Sequence, residues 1–239
     1  LTHSTYISVC IATFNGERYI KEQLNSILVQ LGENDEVIIS DDSSTDGTVD
    51  IIKSFADSRI KIFENQHFHN VIFNIEHSLK QATGKYIFLA DQDDVWLPQK
   101  VSETLEYLTL YDLVISDLQV VDGDLVPINE QSTKIPNLNP LKVIIKNPYI
   151  GCCMAFNRNV LNNTLPFPKY IPMHDMWIGV IASLYFKPYF LNKKLIYYRR
   201  HGSNLSYTGE TSQYPFIKKI SFRLNLLKAI VYAHFKKRV

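Results

Sequence analysis

Three carboxylates crowd into four residues at Asp91-Gln92-Asp93-Asp94, immediately after the apolar run Lys85-Tyr86-Ile87-Phe88-Leu89-Ala90. Such a group repels itself unless a cation neutralises it. Hard divalent ions take oxygen ligands, and Mg²⁺ or Mn²⁺ commonly bridges one or two carboxylates to substrate phosphates. The alternative is a solvated acidic turn in which Asp94 caps the next helix. A second acidic pair, Asp41-Asp42, ends the run Glu36-Val37-Ile38-Ile39-Ser40. Thr13-Phe14-Asn15 ends a third run, Tyr6-Ile7-Ser8-Val9-Cys10-Ile11-Ala12. Polar groups at three such ends favour the cation over the solvated turn.

These groups can meet only if the runs lie side by side. Each run is short, apolar and rich in β-branched or aromatic residues, as a strand buried on both faces is. Residues 17–31 place Tyr19, Ile20, Leu24, Ile27, Leu28 and Leu31 at helical spacing. Ser43-Ser44-Thr45-Asp46-Gly47-Thr48 reads as turn and cap before a helix to about residue 56. A short strand at 59–63 and a helix at 70–82, closed by Gly84, follow. Pro98 suits the first turn of the next helix. Strand–helix units in succession predict an α/β fold with a mostly parallel sheet, and ligands then bind beyond the carboxyl ends of its strands. No glycine-rich dinucleotide fingerprint or phosphate loop is present.

The second half is less regular. Strands are expected at 112–117, 150–156 and 195–201, a helix at 175–186 with His174-Asp175 at its mouth, and a long loop at 122–140. Over 239 residues, 46% hydrophobic and 21% charged, the chain has the make-up of a globular protein. It has no apolar stretch of spanning length, and its first residues carry no secretory pattern, so no membrane span or secretory signal is expected. Three cysteines, two of them adjacent, argue against a disulfide framework and for a reducing compartment. The net charge of +1 hides an asymmetry. Residues 216–239 hold seven of the 25 basic residues and none of the 24 acidic ones, so the tail carries +7 and the remainder −6. An acidic body disfavours nucleic acid as a partner.

Val9-Cys10-Ile11-Ala12-Thr13-Phe14-Asn15-Gly16, Ser40-Asp41-Asp42-Ser43-Ser44-Thr45-Asp46-Gly47-Thr48 and Ala90-Asp91-Gln92-Asp93-Asp94-Val95-Trp96, in this order, resemble family 2 glycosyltransferases of the GT-A fold. His174-Asp175-Met176-Trp177 and Tyr198-Arg199-Arg200-His201-Gly202-Ser203-Asn204 agree with it. The resemblance covers about residues 6–205 and is closest to the bacterial branch that builds O-antigen and capsular polysaccharides, including rhamnosyltransferase-like members. It implies a catalytic domain over 1–205, with a nucleotide-sugar half to about 118 and an acceptor half after it, and an extension at 206–239.

By the same resemblance, Thr13 and Phe14 flank the base of a UDP- or dTDP-sugar donor and Asp41 accepts from the pyrimidine N–H, with Asn15 and Glu17 as weaker contacts. Asp93 ligates Mg²⁺ or Mn²⁺, aided by His201, while Asp91 contacts the donor. Asp94 is either a ligand or a helix cap. Trp96 lines the acceptor side or packs under the sheet. Arg199 adds positive bias toward the diphosphate, or is a solvated strand-edge residue. Asp175 is the general base of an inverting transfer, with His174 orienting it or lying at the surface. The acceptor would be a glycan or lipid-linked oligosaccharide.

In the tail, Ile217, Ile220, Leu224, Leu227, Val231 and Phe235 recur at steps of three or four. A basic amphipathic helix of this kind suits an anionic membrane plane, or it packs on the body with a solvated basic face. The first option makes the protein cytoplasmic and peripheral to the inner face of the plasma membrane. Two rivals remain: a sugar nucleotidyltransferase, which should carry a basic glycine-rich loop after the first strand, and a glycan- or nucleotide-binding module without catalysis.

Overall fold

The computed structural model describes residues 6–128, 135–202, 204 and 215–236. Its first half alternates strand and helix: β1 (Ile7–Thr13), α1 (Ile20–Leu28), β2 (Glu36–Asp41), α2 (Thr48–Ser54), β3 (Ile60–Phe63), α3 (Val71–Gln81) and β4 (Tyr86–Ala90). The second half contains β5 (Val95–Trp96), α4 (Lys100–Leu108), β6 (Leu113–Val121), α5 (Pro140–Ile145), a 3-10 turn (Gly151–Cys153), β7 (Met154–Asn157), α6 (Arg158–Thr164), α7 (His174–Tyr185), β8 (Pro188–Arg199) and α8 (Phe216–Lys236). One eight-stranded sheet joins the halves in the order β3-β2-β1-β4-β7-β6-β8-β5.

The first four strands are parallel, as the apolar runs of β1, β2 and β4 predict. β1, β2 and β4 are buried almost throughout, and each Ile, Val, Leu or Phe removed from water contributes about 1.5–3 kcal/mol. The register does the functional work: Thr13 pairs with Asp41 across β1 and β2, and Ile11 pairs with Ala90 across β1 and β4. The polar residues that end each strand are thereby delivered to one edge.

Beyond β4 the sheet is mixed. β7 runs antiparallel to both β4 and β6, whereas β8 runs parallel to β6. The strand expected over 150–156 is shorter: Cys153 N–H donates to Ile150 O at 3.0 Å, and pairing with β4 begins only at Ala155 and Phe88. The strand expected at 195–201 begins earlier, because Pro188, Tyr189 and Phe190 already pair with Leu113, Val114 and Ile115. Register shifts beside Asp117 accommodate the polar run Asn192-Lys193-Lys194 that conceals this strand in the sequence. α5 and α6 also escaped the periodicity. Each is short and is started by a side-chain cap, Asn139 to Leu141 N–H and Asn157 to Val160 N–H.

α8 turns Leu226 and Ala229 inward, and Arg223 donates to the Ile145 carbonyl of α5 at 2.8 Å. Lys237 and Arg238 of the basic tail, and the side chains of Phe216, Ile217, Phe235 and Lys236, lie outside the described residues.

Candidate active site

Asp41 closes β2 with most of its carboxylate's hydrogen-bonding capacity taken up from within. Thr13 Oγ1 donates at 2.7 Å, Ser44 N–H at 2.8 Å and Ser44 Oγ at 2.6 Å. Three of the roughly four lone-pair positions of a carboxylate are therefore used. Asp42 holds the neighbouring loop, accepting from Phe68 N–H at 2.6 Å and Asn70 N–H at 3.2 Å. Above this wall Phe14 presents its ring to solvent, 53% exposed. Its backbone is gripped on both sides by the Gln92 amide, which accepts from Phe14 N–H at 2.9 Å and donates to Phe14 O at 3.0 Å. The middle residue of the Asp-Gln-Asp motif thus ties the end of β1 to the end of β4. A Cβ at Gly16 would lie 2.5 Å from Gln92 Oε1, so a side chain there would have to displace the clamping amide. Asn15 and Glu17 are spent on the Ser43–Thr48 turn: Asn15 Oδ1 accepts from Thr45 N–H at 2.9 Å and Glu17 Oε2 from Gly47 N–H at 2.7 Å.

The three motif carboxylates have different surroundings. Asp93 Oδ2 lies 2.8 Å from His201 Nε2 and 3.3 Å from Asn204 Nδ2. Asp94 is fully buried, with Oδ1 accepting from Arg199 N–H at 3.0 Å and Oδ2 without a hydrogen-bond partner. Burial, then the charges of Asp93 and Asp91, holds its carboxyl well above the usual range. Asp91 is half-buried, and burial, then Asp93 and Asp175, pushes it up to about 7. Its backbone carbonyl is anchored by Gln23 Nε2 at 2.7 Å.

This arrangement fits a hard divalent ion. Desolvated carboxylates in mutual repulsion release that strain to a cation. The 2.8 Å between Asp93 Oδ2 and His201 Nε2 is close to the roughly 3 Å between neighbouring ligands of a six-coordinate ion with about 2.1 Å bonds.

Arg199 lies beneath the motif. Only 3% exposed, it donates from Nε to Asp93 O at 2.9 Å, from one terminal nitrogen to Gly123 O at 2.7 Å and from the other to Glu22 at 2.5 Å. Its guanidinium lies 4.5 Å from the centre of the Tyr19 ring, which packs 4.8 Å from His201. All of this holds Asp93 and His201 in place and leaves Arg199 neither solvated nor turned toward the crevice. Trp96 is a core residue, packed against Phe88 and beneath the Lys100 ammonium, which is the packing alternative.

Asp175 sits in the first turn of α7 and accepts from Met176 N–H at 2.5 Å. Burial pushes its carboxyl up to about 7 against the pull of Met176 N–H and the Asn147 side chain. The charge of Asp175 is one of the influences that raise Asp91. His174 is buried rather than on the surface. Burial pushes it down to about 4, Nδ1 has no partner, and Nε2 abuts Gly151 closely enough that a Cβ there would lie 2.8 Å away.

Sequence reasoning gave Gln92, Gln23 and Lys100 no role and left Asn204 unassigned. The first two signal nothing as isolated amides. Asn204 donates to Arg199 O at 2.8 Å and accepts from His201 N–H at 3.0 Å, a local loop closure that spacing from His201 could have shown.

Residues 8–165 match the family model for glycosyl transferase family 2. An uncharacterized glycosyltransferase of Nostoc sp. is 32% identical over 87% of this chain and 69% of its own length. The UDP-Glc:alpha-D-GlcNAc-diphosphoundecaprenol beta-1,3-glucosyltransferase WfaP of Escherichia coli is 30% identical over 96% of this chain and 89% of its own. The crystal structure of S. aureus TarS 1-349 in complex with UDP-GlcNAc matches the fold with a TM-score of 0.71 over 92% of this chain, at 22% identity, and this chain spans 65% of that one. The curled α/β sheet, the acidic motif at its crevice and these matches together make the chain a member of glycosyltransferase family 2.

Proposed function

We propose that the chain transfers a hexose or deoxyhexose, with inversion, from a UDP- or dTDP-sugar to a lipid-linked diphosphate acceptor in surface-glycan assembly. The observation that carries this reading is the convergence at the carboxyl ends of β1, β2 and β4 of Thr13 bonded to Asp41 and of the Asp91–Asp93 motif, with Asp91 feeling the charges of both Asp93 and Asp175. A donor lying over Asp91 would have its diphosphate toward Asp93 and its anomeric carbon toward Asp175. WfaP, alike over nearly its whole length, is named for a UDP-glucose donor and a diphosphoundecaprenol acceptor, which supports both substrate classes.

In this reading the base lies along Thr13 and Phe14, and its N3–H takes the lone-pair position that Asp41 keeps free. Asp93 and His201 would hold Mg²⁺ or Mn²⁺, which when bound supplies charge neutralisation to the departing diphosphate. Asp175, raised toward neutrality by burial, takes the acceptor hydroxyl's proton as the oxygen attacks opposite the diphosphate. Holding both substrates in line removes much of the entropic barrier. The nucleotide-sugar half is about 1–118, the acceptor half 119–205, and the 206–239 extension rests on the inner face of the plasma membrane.

The test is nucleoside diphosphate release from a panel of UDP- and dTDP-sugars with a GlcNAc-diphospho-lipid acceptor and Mn²⁺ or Mg²⁺. Acceptor-dependent release with at least one donor is expected. Calorimetric binding of neither UDP nor dTDP under the same conditions would overturn the reading.

A further inference from the structure

Cys152 takes no part in the proposed transfer, yet its thiol lies against the acidic motif. The ligand atoms of Asp91, Asp94 and Cys152 all fall within 4.8 Å of one another. Two of the three side chains are shut off from solvent, while Asp91 is half-open to the crevice. A second feature points to a ligand: Asp94 is fully buried, and its Oδ2 has no hydrogen-bond partner. A buried oxygen left unpaired costs on the order of 1–3 kcal/mol, which a bound ion would recover.

The surroundings hold the Asp94 carboxylate and the backbones of Asp91 and Cys152. Asp94 is fixed by Arg199 N–H at 3.0 Å, and Asp91 by Gln23 on its carbonyl at 2.7 Å. The 3-10 turn carrying Cys152 is fixed from below by Lys100, whose ammonium donates to Cys152 O at 3.3 Å and Ser116 Oγ at 3.4 Å. Lys100 is 1% exposed and supplies one positive charge against three acidic groups. A thiol changes the chemistry of such a cluster. Carboxylates alone suit Mg²⁺ or Mn²⁺, whereas a sulfur ligand selects zinc and similar thiophilic ions.

We propose that Asp91, Asp94 and Cys152 form a site for a thiophilic divalent ion of the zinc class, distinct from the Asp93–His201 pair. Two carboxylate oxygens and one sulfur are three protein ligands, which leaves a fourth tetrahedral position open toward the crevice. Around tetrahedral zinc such ligands stand about 3.5 Å apart, so small side-chain rotations close the site. The ion replaces the thiol proton, which leaves to solvent. Because Asp91 is shared, the ion also competes with the sugar donor; that consequence rests on the proposed function, whereas the ion site does not.

Cadmium is the optical stand-in, since a cadmium–thiolate bond gives an ultraviolet charge-transfer band. The full chain, reduced with a non-thiol reductant and titrated with cadmium, is expected to show that band with saturable binding. Zinc should displace it, and excess magnesium should not. The double variant Cys10→Ser/Cys153→Ser should keep the band. Cys152→Ser and Asp94→Asn should weaken cadmium binding by on the order of a hundredfold or more, beyond what loss of an outer-shell partner costs. No band from the wild-type chain, or a band lost in the double variant, overturns the proposal without any variant of the cluster having to fold. A band that leaves UDP affinity unchanged supports the ion site and removes Asp91 from donor binding.

Discussion

At the scale of single residues, the crevice sorts carboxylates by what surrounds them. Asp41 is surrounded by donors and Asp93 by His201 and Asn204, but Asp175 has little except Met176 N–H and Asn147 to offset its burial. A general base is effective when its pKa lies near the working pH, and Asp175 at about 7 meets that condition. The sign follows from its chemistry, since only the ionised form accepts a proton. Transfer, measured as kcat/KM for the donor, should rise about tenfold per pH unit below 7 and level off above it. Asp175→Asn should lose roughly 10²–10⁴ in rate and flatten the profile while donor affinity stays. A wild-type rate unchanged between pH 5.5 and 7.5 would remove Asp175 from the proton step. Such environments were only partly legible in the sequence. Asp91, Asp93 and Asp94 stood out by type and placement after a strand, whereas Asp175 entered through the family resemblance. That Arg199 supports from below, and that His174 is buried and neutral, depends on burial set by distant segments.

At the scale of elements, the parallel half was readable because β1, β2 and β4 are buried on both faces and bounded by turn residues. The mixed half was less so, since β7 and β8 begin or end where pairing partners allow, and pairing is a non-local property. The ends opposite the active site show how the readable half is fastened. Glu36, at the start of β2, accepts from Ser8 Oγ of β1 at 2.6 Å and from Thr83 N–H and Oγ1 before β4 at 2.8 Å each, and it pairs with Lys61 of β3 at 2.7 Å. One carboxylate thus ties three strands and the approach to a fourth. Burial opposes its ionisation, but Lys61, Ser8 and Thr83 together bring it down to about 2 from 4.5. A depressed folded-state pKa stabilises above the unfolded value and loses that stability as pH falls through the folded one. Unfolding free energy should therefore decline between pH 4.5 and 2 by about 1–2 kcal/mol from this group, after allowance for the solvent around Lys61. Glu36→Gln should lower stability at pH 7 by a similar amount and erase that part of the acid dependence in urea titrations. An identical slope in the variant would assign the acid loss elsewhere.

At the scale of the whole molecule, α8 has two apolar faces and only one covered by protein. Leu226 and Ala229 pack inward, whereas Ile220, Leu224, Leu227 and Val231, at steps of four, three and four, stand exposed along the opposite side. Lys218 and Lys228 are exposed as well, and the helix has no acidic residue. No helix among the described residues is long and apolar enough to cross a membrane. A surface helix anchored on one side, apolar on the other and flanked by lysines is what an anionic bilayer plane would take up. Each leucine inserted is worth about 1.5–3 kcal/mol and each nearby lysine about 1 kcal/mol, so four apolar residues and a few cations suffice for reversible attachment. Leu224→Glu/Leu227→Glu should cut co-sedimentation with phosphatidylserine-containing vesicles by on the order of a hundredfold or more. Removal of residues 216–239 should do the same. Hydrolysis of a soluble UDP-sugar should stay near the wild-type rate in the double variant, because neither leucine touches the crevice and the inward face of α8 is untouched. Vesicle binding that survives both changes would show that the stripe serves another partner, and the lipid-linked acceptor would then have to reach Asp175 without the enzyme resting on the membrane.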